Sequence, residues 1–474
     1  MTLNPVWRPW VKGQMGDPVL YLINPRSPLV SVVRKSRWSK YRVWKPLGLL
    51  VLAGLTPPEW QITIIDENLS VPDYESLSRP DLVGITAFTS QANRAYELAG
   101  KFRKRGVPVV MGGVHATTCL EEAMARVDSV VTGEAESVWG QVLRDARQGV
   151  LRPVYAGQHV NMKDVPPARN DLLVNGYAFG SIQTTRGCPL DCSFCSVSVL
   201  NGKRYRQRPI EKVVEELRTI REKLVLIVDD NLIGTSAKHI ARAKNLFRAM
   251  IRARLGKKWI CQATINMADD EELLALAAKA GCKGVFIGFE SPTEEGLAEV
   301  GKKFNILNGR DFRASVRRMQ SHSISVVGSF IMGLDADEPG IGKRIADTAR
   351  RYGLDLLNVL FLTPLPGTRL WHRMKLEGRI AADLFPEDWK YFTLCFPVAR
   401  YKHLSWASIL QEMDTCNRGF YSLRGIAHRV CSSLWRRPDL LLAIVSNLSF
   451  RHNVRTDREL YRKLDVSRGH ALNG

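Results

Sequence analysis

The feature that most constrains this chain is the recurrence of short apolar runs separated by stretches with helical spacing. The first run, Val19-Leu20-Tyr21-Leu22-Ile23-Asn24-Pro25, reads as a strand ended by a proline. Further strands are predicted at Gln61–Asp66, Leu82–Thr86, 107–111 and 127–131, with helices at Leu47–Leu55 and 92–105, the latter stopped by Gly106. Strands without polar alternation are buried on both faces, and their alternation with helices predicts a parallel sheet covered on both sides. In such a sheet, ligands sit beyond the carboxyl ends of the strands. Four polar or glycine-rich tips fall there: Asp66-Glu67-Asn68, Thr86-Ala87-Phe88-Thr89, Gly112-Gly113-Val114-His115 and Gly133-Glu134-Ala135-Glu136.

The pattern pauses at 152–175, where Pro153, Pro166 and Pro167 suggest a connection, and then resumes. Gly180-Ser181-Ile182-Gln183-Thr184-Thr185 opens a second series, with strand candidates at 224–228, 259–265, 284–289, 325–331 and 356–362. Helical stretches at 210–221, 237–254, 270–280 and 312–320 separate them. Six strands are too few for the eight-unit barrel and fit an incomplete one, a partial (β/α)6 unit. Beyond Gly367 the periodicity weakens into a smaller, mainly helical region. The expected organisation is therefore an α/β chain with a Rossmann-like domain (1–150), a linker (151–180), a partial barrel (181–378) and a helical C-terminal region (379–474).

Composition excludes several classes. The chain has 474 residues, 45% of them hydrophobic, which is material for two or three cores and argues against widespread disorder. No run of about eighteen apolar residues suggests a membrane span. The first residues carry Pro5, Trp7, Arg8, Pro9 and Trp10 but no apolar signal core, so a cytoplasmic, unexported protein is expected. Nine cysteines, an odd number in so long a chain, point to a reducing compartment with thiols free for metals. A net charge of +21 could serve nucleic acid or an anionic membrane surface. No zinc-finger spacing or RNA-binding aromatic motif supports nucleic acid. The basic-aromatic stretch at 34–42, and Arg436-Arg437 followed by the apolar run Leu440-Leu441-Leu442-Ala443-Ile444-Val445, leave peripheral contact with the inner face of a membrane as an expectation. A buried helix with charged flanks is the alternative.

Three cysteines cluster after the first strand of the second series, in Arg186-Gly187-Cys188-Pro189-Leu190-Asp191-Cys192-Ser193-Phe194-Cys195. Thiolates are the soft ligands that iron-sulfur clusters require. Gaps of three and two residues let one loop wrap three corners of a cube, and the fourth iron stays open to chelate the amino and carboxylate groups of a small molecule. A zinc site or an unreactive core turn are the competing readings. Zinc would want a fourth ligand nearby, and the next candidates in the chain, His239 and Cys261, are distant.

This loop resembles the cysteine motif of the radical S-adenosylmethionine (SAM) superfamily, with Phe194 in its usual aromatic position. Downstream features follow in the superfamily's order: Ile227-Val228-Asp229-Asp230-Asn231, Gln262-Ala263-Thr264-Ile265-Asn266, Gly288-Phe289-Glu290-Ser291, the glycine region from Gly328 to Asp335, and Thr363-Pro364-Leu365-Pro366-Gly367-Thr368. The resemblance implies a [4Fe-4S] cluster on Cys188, Cys192 and Cys195, with SAM enclosed by these strand ends. Asp229 and Asp230 would lie near its methionine moiety, Glu290 near the ribose, and Gly333 and Leu365 near the adenine; Gln262, Thr264 and Asn266 end the third strand of the same chamber. Read singly, Asp229-Asp230 could be a helix cap and Pro364 to Thr368 a rigid turn.

The first segment resembles the cobalamin-binding domain that precedes the radical core in a large branch of that superfamily. Lys45-Pro46-Leu47-Gly48-Leu49, Pro80-Asp81-Leu82-Val83-Gly84-Ile85, Gly112-Gly113-Val114-His115-Ala116 and Gly133-Glu134-Ala135-Glu136 carry the likeness. It implies cobalamin contacts from Asn68, Thr86, Gly112, Gly113, His115, Gly133 and Glu134. One departure stands out: Asn68 occupies the place of the histidine that serves as lower cobalt ligand in the classical motif, so no imidazole comes from the Asp66–Asn68 loop. His115 is expected to hydrogen-bond to a phosphate or corrin amide, or to pack.

The implied activity is radical methylation of an unactivated carbon in a hydrophobic, lipid or polycyclic substrate, fed by a reducing electron donor. A cobalamin-dependent ring-forming enzyme and a non-catalytic iron-sulfur interaction protein are the alternatives. A tRNA methylthiotransferase would need a further cysteine triad in the first segment, which has only Cys119. Cys261, Cys282, Cys395, Cys416 and Cys431 are expected to pack, with Cys395 and Cys416 nearest to where substrate contacts would fall.

Overall fold

The computed structural model describes residues 16–28, 45–173, 176–302, 309–434, 440–462 and 464–472. The basic stretch at 34–42 and the Arg436-Arg437 pair lie outside them. Six parallel strands make the first sheet: β1 (Val19–Asn24), β2 (Gln61–Asp66), β3 (Leu82–Thr86), β4 (Val109–Gly112), β5 (Ser129–Thr132) and β6 (Val154–Ala156), in the order β2-β1-β3-β4-β5-β6. The apolar runs work as two-faced strands. Leu20 and Leu22 pack with Leu49 and Ala53 of the helix Leu47–Leu55 and with Trp139 and Val142 of the helix Trp139–Gln148. Tyr21 and Ile23 turn to the other face, where Ala95, Leu98, Ala99 and Phe102 of the helix Ala92–Lys104 join them. Period 2 in the strand meets period 3.6 in the helices, and both faces are dry.

β6 lies within the stretch expected to be a connection. It is three residues long, begins after Pro153 and takes the sheet edge, with Pro153 O accepting from Val130 N. An edge strand that short shows no alternation, and the proline before it reads as a loop signal. The sheet order reverses between β1 and β3, the switch point at which such sheets open a crevice. Gln91 bridges it, donating to Pro25 O at 2.5 Å and to Asn24 Oδ1 at 3.3 Å.

The second sheet also has six parallel strands, in sequential order: β7 (Gly180–Ile182), β10 (Leu224–Ile227), β11 (Lys258–Ala263), β12 (Cys282–Glu290), β13 (Ser325–Met332) and β14 (Leu356–Phe361). Between β7 and β10, β8 (Thr185–Arg186) and β9 (Arg206–Gln207) pair as a short antiparallel hairpin around the cysteine loop. Helices return the chain outside the sheet, and their starts are written in the sequence. Ser236, Asp270, Thr293, Asp311 and Thr368 each accept a hydrogen bond from a first-turn amide. Each such cap stabilises its helix by about 1 kcal/mol.

The C-terminal region adds the helices Trp406–Phe420, Leu423–Leu434 and Leu440–Tyr461. It covers the free edge of β14. The Tyr421 hydroxyl accepts from Leu357 N at 2.8 Å and donates to Leu357 O at 2.7 Å, and Phe361 N donates to Leu394 O at 2.9 Å. Unpaired edge amides are thereby satisfied within the chain. Among the described residues no helix is long and apolar enough to cross a membrane.

The turn from the helix Glu271–Lys279 into β12 depends on Gly281, at φ +102°, where a Cβ would sit 2.1 Å from Lys257 O. Gly281→Ala should therefore cost about 3 kcal/mol or more through strain and overpacking. A clearly lowered thermal midpoint is expected; an unchanged one would contradict this account of the turn.

Candidate active site between two sheet ends

The loops at the carboxyl ends of the two sheets meet. Gly367, after β14, approaches Thr118 and Val199, with a Cβ there falling 3.3 Å from each. Trp389 places its ring 5.5 Å from that of His115, and Asn93 donates to Glu387 O at 3.1 Å. The space between the sheets is therefore bounded on both sides by strand C-termini.

The cysteine loop is fastened from every side. Gly187, at φ +86°, lies where a Cβ would be 2.3 Å from Arg204 O, so only glycine lets the hairpin close over the loop. Asp230 accepts from Gly187 N and from Asn201 Nδ2, each at 2.9 Å. Ser193 N donates to Val300 O at 3.2 Å, and Ser193 O accepts from Leu370 N at 3.0 Å. Asp191 takes ion pairs from Lys203 and Arg369. Cys192 is buried, and Cys188 and Cys195 are half-buried. Burial pushes the thiols up, Cys192 to about 11 and Cys195 to about 12, so a bound cation would be needed to hold them as thiolates. Among the described residues no three His, Cys, Asp or Glu side chains gather around a point that could hold a single ion. Thiolates are the soft donors that iron-sulfur clusters take. Three soft donors on a loop ringed by fixed backbone suit such a cluster.

The two aspartates after β10 differ sharply. Asp230 shapes the cysteine loop. Asp229 is wholly buried and accepts from Thr184 N at 2.5 Å and Thr184 Oγ1 at 2.6 Å, which commits it to the chain leaving β7. Burial pushes both carboxyls up. Thr264 and Asn266 are buried after β11; the Thr264 hydroxyl lies within 3.4 Å of Asn231 and Gly234 O, and Asn266 donates to Gly234 O at 3.1 Å. Gln262 stays exposed and pairs in register with Phe286. Glu290 ends β12 at φ +65°, buried, and accepts from Lys302 Nζ at 2.8 Å. A Cβ at Gly288 would fall 2.9 Å from that Nζ. Burial disfavours the Lys302 ammonium, but Glu290 and, behind it, the Cys192 and Cys188 sulfurs hold its pKa above the ordinary lysine range. Lys302 was not apparent from sequence, since nothing in Val300-Gly301-Lys302 marks a buried cation.

Gly333, at φ +103°, would drive a Cβ to 2.6 Å from the Tyr401 ring, and its N–H donates to Asp337 Oδ2 at 2.8 Å. Leu365 is half-buried, its carbonyl accepting from Thr368 N and Oγ1.

At the first sheet, Gly113 has φ +93° and a Cβ there would meet Thr86 Oγ1 at 2.7 Å; Gly112 O accepts from Ala87 N at 3.3 Å. Gly133, at φ +65°, would meet Gly157 O at 2.4 Å. These glycines let the tips of the first sheet close on neighbouring backbone. Asn68 spends its amide tying its loop to the chain after β1, donating to Asp66 Oδ1 at 2.8 Å and Pro25 O at 3.3 Å and accepting from Ser27 N at 2.9 Å. His115 is fully buried; its Nε2 lies 2.8 Å from the Tyr96 hydroxyl and 3.2 Å from Glu122 Oε1. Its Nδ1 is buried and has no hydrogen-bond partner among the described residues. Burial opposes charge on Glu122, yet hydrogen bonds from His115, Trp389 and Tyr96 outweigh it and hold the carboxyl below the usual range. Glu134 is not free either: Arg206 and Arg186 pair with it, and Val160 N donates to it at 2.8 Å. Burial works against its charge, and the two arginines overcome that and keep it ionised.

Comparison with known proteins agrees with this geometry. Residues 182–339 match the model of the radical SAM superfamily, and residues 40–143 match that of the B12 binding domain. An uncharacterised methyltransferase of Pyrococcus horikoshii is 30% identical over 410 residues, covering 79% of this chain and 87% of the relative. The bacteriochlorophyllide d C-12(1)-methyltransferase of Chlorobaculum tepidum is 29% identical over 86% of this chain and 88% of its own. The hopanoid C-2 methylase of Rhodopseudomonas palustris is 29% identical over 71% of this chain and 66% of its own. A parallel-sheet enzyme with a cysteine loop facing a B12-type sheet is thus a cobalamin-dependent radical SAM enzyme. The chain belongs to the radical SAM superfamily, in the branch whose core follows a B12-binding domain, and its cofactors are a [4Fe-4S] cluster, SAM and cobalamin.

The Gly333 turn yields a pH test. Burial pushes the Asp337 carboxyl up to about 7 from 3.8, against the pull of the Gly333 and Leu334 amides. The folded pKa exceeds the unfolded one, so the native state binds the extra proton and loses stability as pH rises between those values. Asp337→Asn, which keeps an acceptor for both amides, should gain on the wild type in thermal midpoint from pH 4 upward and hold a constant advantage above about pH 7. Parallel pH profiles would contradict the assignment.

Proposed function

We propose that the enzyme methylates an unactivated carbon of a hydrophobic polycyclic substrate, of lipid type, in the space between the two sheet ends. The observation that carries this reading is the opposition of a cysteine loop and a glycine-tipped B12-type sheet across one seam. When bound, the cluster, SAM and cobalamin supply electron transfer, hydrogen abstraction and a transferable methyl group. The chain's own residues supply placement. Cys188, Cys192 and Cys195 hold the cluster, and Asp230 and Gly187 keep their loop in shape. Glu290, held by Lys302, together with Gln262, Thr264, Asn266, Gly333 and Leu365, surrounds SAM; Asp229 sets the backbone of Thr184 beneath it. Thr86, Gly112, Gly113 and Gly133 offer backbone to the corrin, while Asn68, His115 and Glu134 hold the loops that do so. No imidazole from the Asp66–Asn68 loop reaches the cobalt.

Two considerations support the substrate class. The relatives named as methylases act on a hopanoid and a bacteriochlorophyllide, both hydrophobic polycyclic compounds. The seam also carries an aromatic cluster in which Phe385 and Trp389 stack at 3.7 Å, with Trp371 and Phe392 alongside. A cytoplasmic enzyme, visiting the inner membrane face for its substrate and reduced by a cytoplasmic electron donor, is the setting that fits this chemistry.

Anaerobic reconstitution with iron, sulfide and hydroxocobalamin tests the proposal. About four irons and about one cobalt per chain are expected, with the iron lost in Cys192→Ala. Turnover should add one CH2 to the substrate. Iron without cobalt, or a product formed by ring closure with no mass gain of that kind, would overturn the methylase reading.

A further inference from the structure

The seam between the two sheets contains four buried charges, on Glu134, Glu136, Arg186 and Arg206, that pair across it. Arg186 Nη2 lies 2.5 Å from Glu136 Oε1 and its Nη1 3.3 Å from Glu134 Oε2. Arg206 grips Glu134 with both terminal nitrogens, Nη1 to Oε2 at 2.9 Å and Nη2 to Oε1. Each of the four side chains is no more than 12% exposed. Secondary contacts finish the arrangement: Arg206 also donates to Val160 O at 3.0 Å and Asn201 O at 3.1 Å, and Arg186 Nε donates to Gln183 Oε1 at 2.8 Å.

Desolvating two arginines and two glutamates is expensive, and an apolar contact would join two domains at least as stably. What ion pairs add is direction, because a two-pronged arginine-carboxylate contact fixes both distance and angle. The placement of the four makes that direction matter. Both arginines face each other across the β8–β9 hairpin, in register, and Arg186 stands two residues before Cys188. Both glutamates stand on the tip after β5, beside Gly133 on the ligand end of the first sheet.

We infer that Glu134, Glu136, Arg186 and Arg206 are positioning residues that set the separation and angle between the cysteine loop and the B12-type sheet, so that radical formation on one side leads to methyl transfer from the other. This rests on the proposed reading of the two faces as cluster and cobalamin sites. Misplacement by about 1 Å can cost a reaction roughly 100-fold, so loosening the seam should uncouple the chemistry before it abolishes either half.

Glu136→Gln keeps shape and removes one charge; the double variant Glu136→Gln with Arg186→Gln leaves no unpaired partner and serves if the single one does not fold. Hydrogen-deuterium exchange on the full-length protein, with and without cofactors, should show residues 133–138 and 183–208 exchanging about ten-fold faster or more, while strand β1 is unchanged. In the reconstituted protein, methyl product per SAM cleaved should fall about ten-fold or more while SAM is still consumed. Unchanged exchange in both segments, or faster exchange with an unchanged product ratio, would overturn the inference. Failure of the wild type to take up cobalt would instead refute the methylase reading, and the exchange measurement would still report on the seam.

Discussion

A parallel strand can pair with its neighbour only if the chain first returns to the starting end of the sheet, and this requirement organises the whole molecule. Every return helix lands on the outside, every strand finishes at the same edge, and all the irregular, polar chain accumulates there. This protein applies the rule twice and then sets the two edges against each other. Neither sheet encloses a chamber by itself. The second is open among the described strands, since β7 and β14 do not pair, and so is the first, whose outer strands are β2 and β6. The enclosure exists only because the loops after β4, β5, β7 and β14 touch.

Those loop contacts are unlike the cores they join. Inside each sheet the contacts are Leu, Ile, Val and Phe on both faces, tolerant of exchange among residues of similar volume. At the seam they are ionic on one side, through Glu134 and Arg206, and aromatic on the other, through His115, Glu122 and Trp389. Directional contacts are placed where an error of position costs function, and forgiving ones where it costs only stability.

The legibility of the sequence follows the same division. Strands buried on both faces announce themselves as unbroken apolar runs, and the two sheets could be read almost strand by strand. β6 could not, because three residues after a proline carry no period. The cysteine loop was legible from spacing alone, whereas the roles of its neighbours were not. Asp229 and Asp230 are adjacent letters, yet one is sealed against Thr184 and the other braces Gly187. Glu134 looks like an exposed loop acid until Arg206, 72 residues away in sequence, is brought beside it. Long-range polar partnership leaves no local pattern, so the residues that tune the site were the ones sequence periodicity could not reach.

The hydroxyl of Tyr421 has a wider consequence. By taking both the amide and the carbonyl of Leu357, one side chain fills a pairing place on the edge of β14, and it binds the tail to the sheet through backbone atoms that any residue but proline would offer at position 357. This joint of backbone atoms adds to the side-chain packing of Ile409, Met413 and Phe420 against Ile345, Ala346 and Ala349. The exposed surface of the tail is therefore free to vary among such enzymes without loosening this joint.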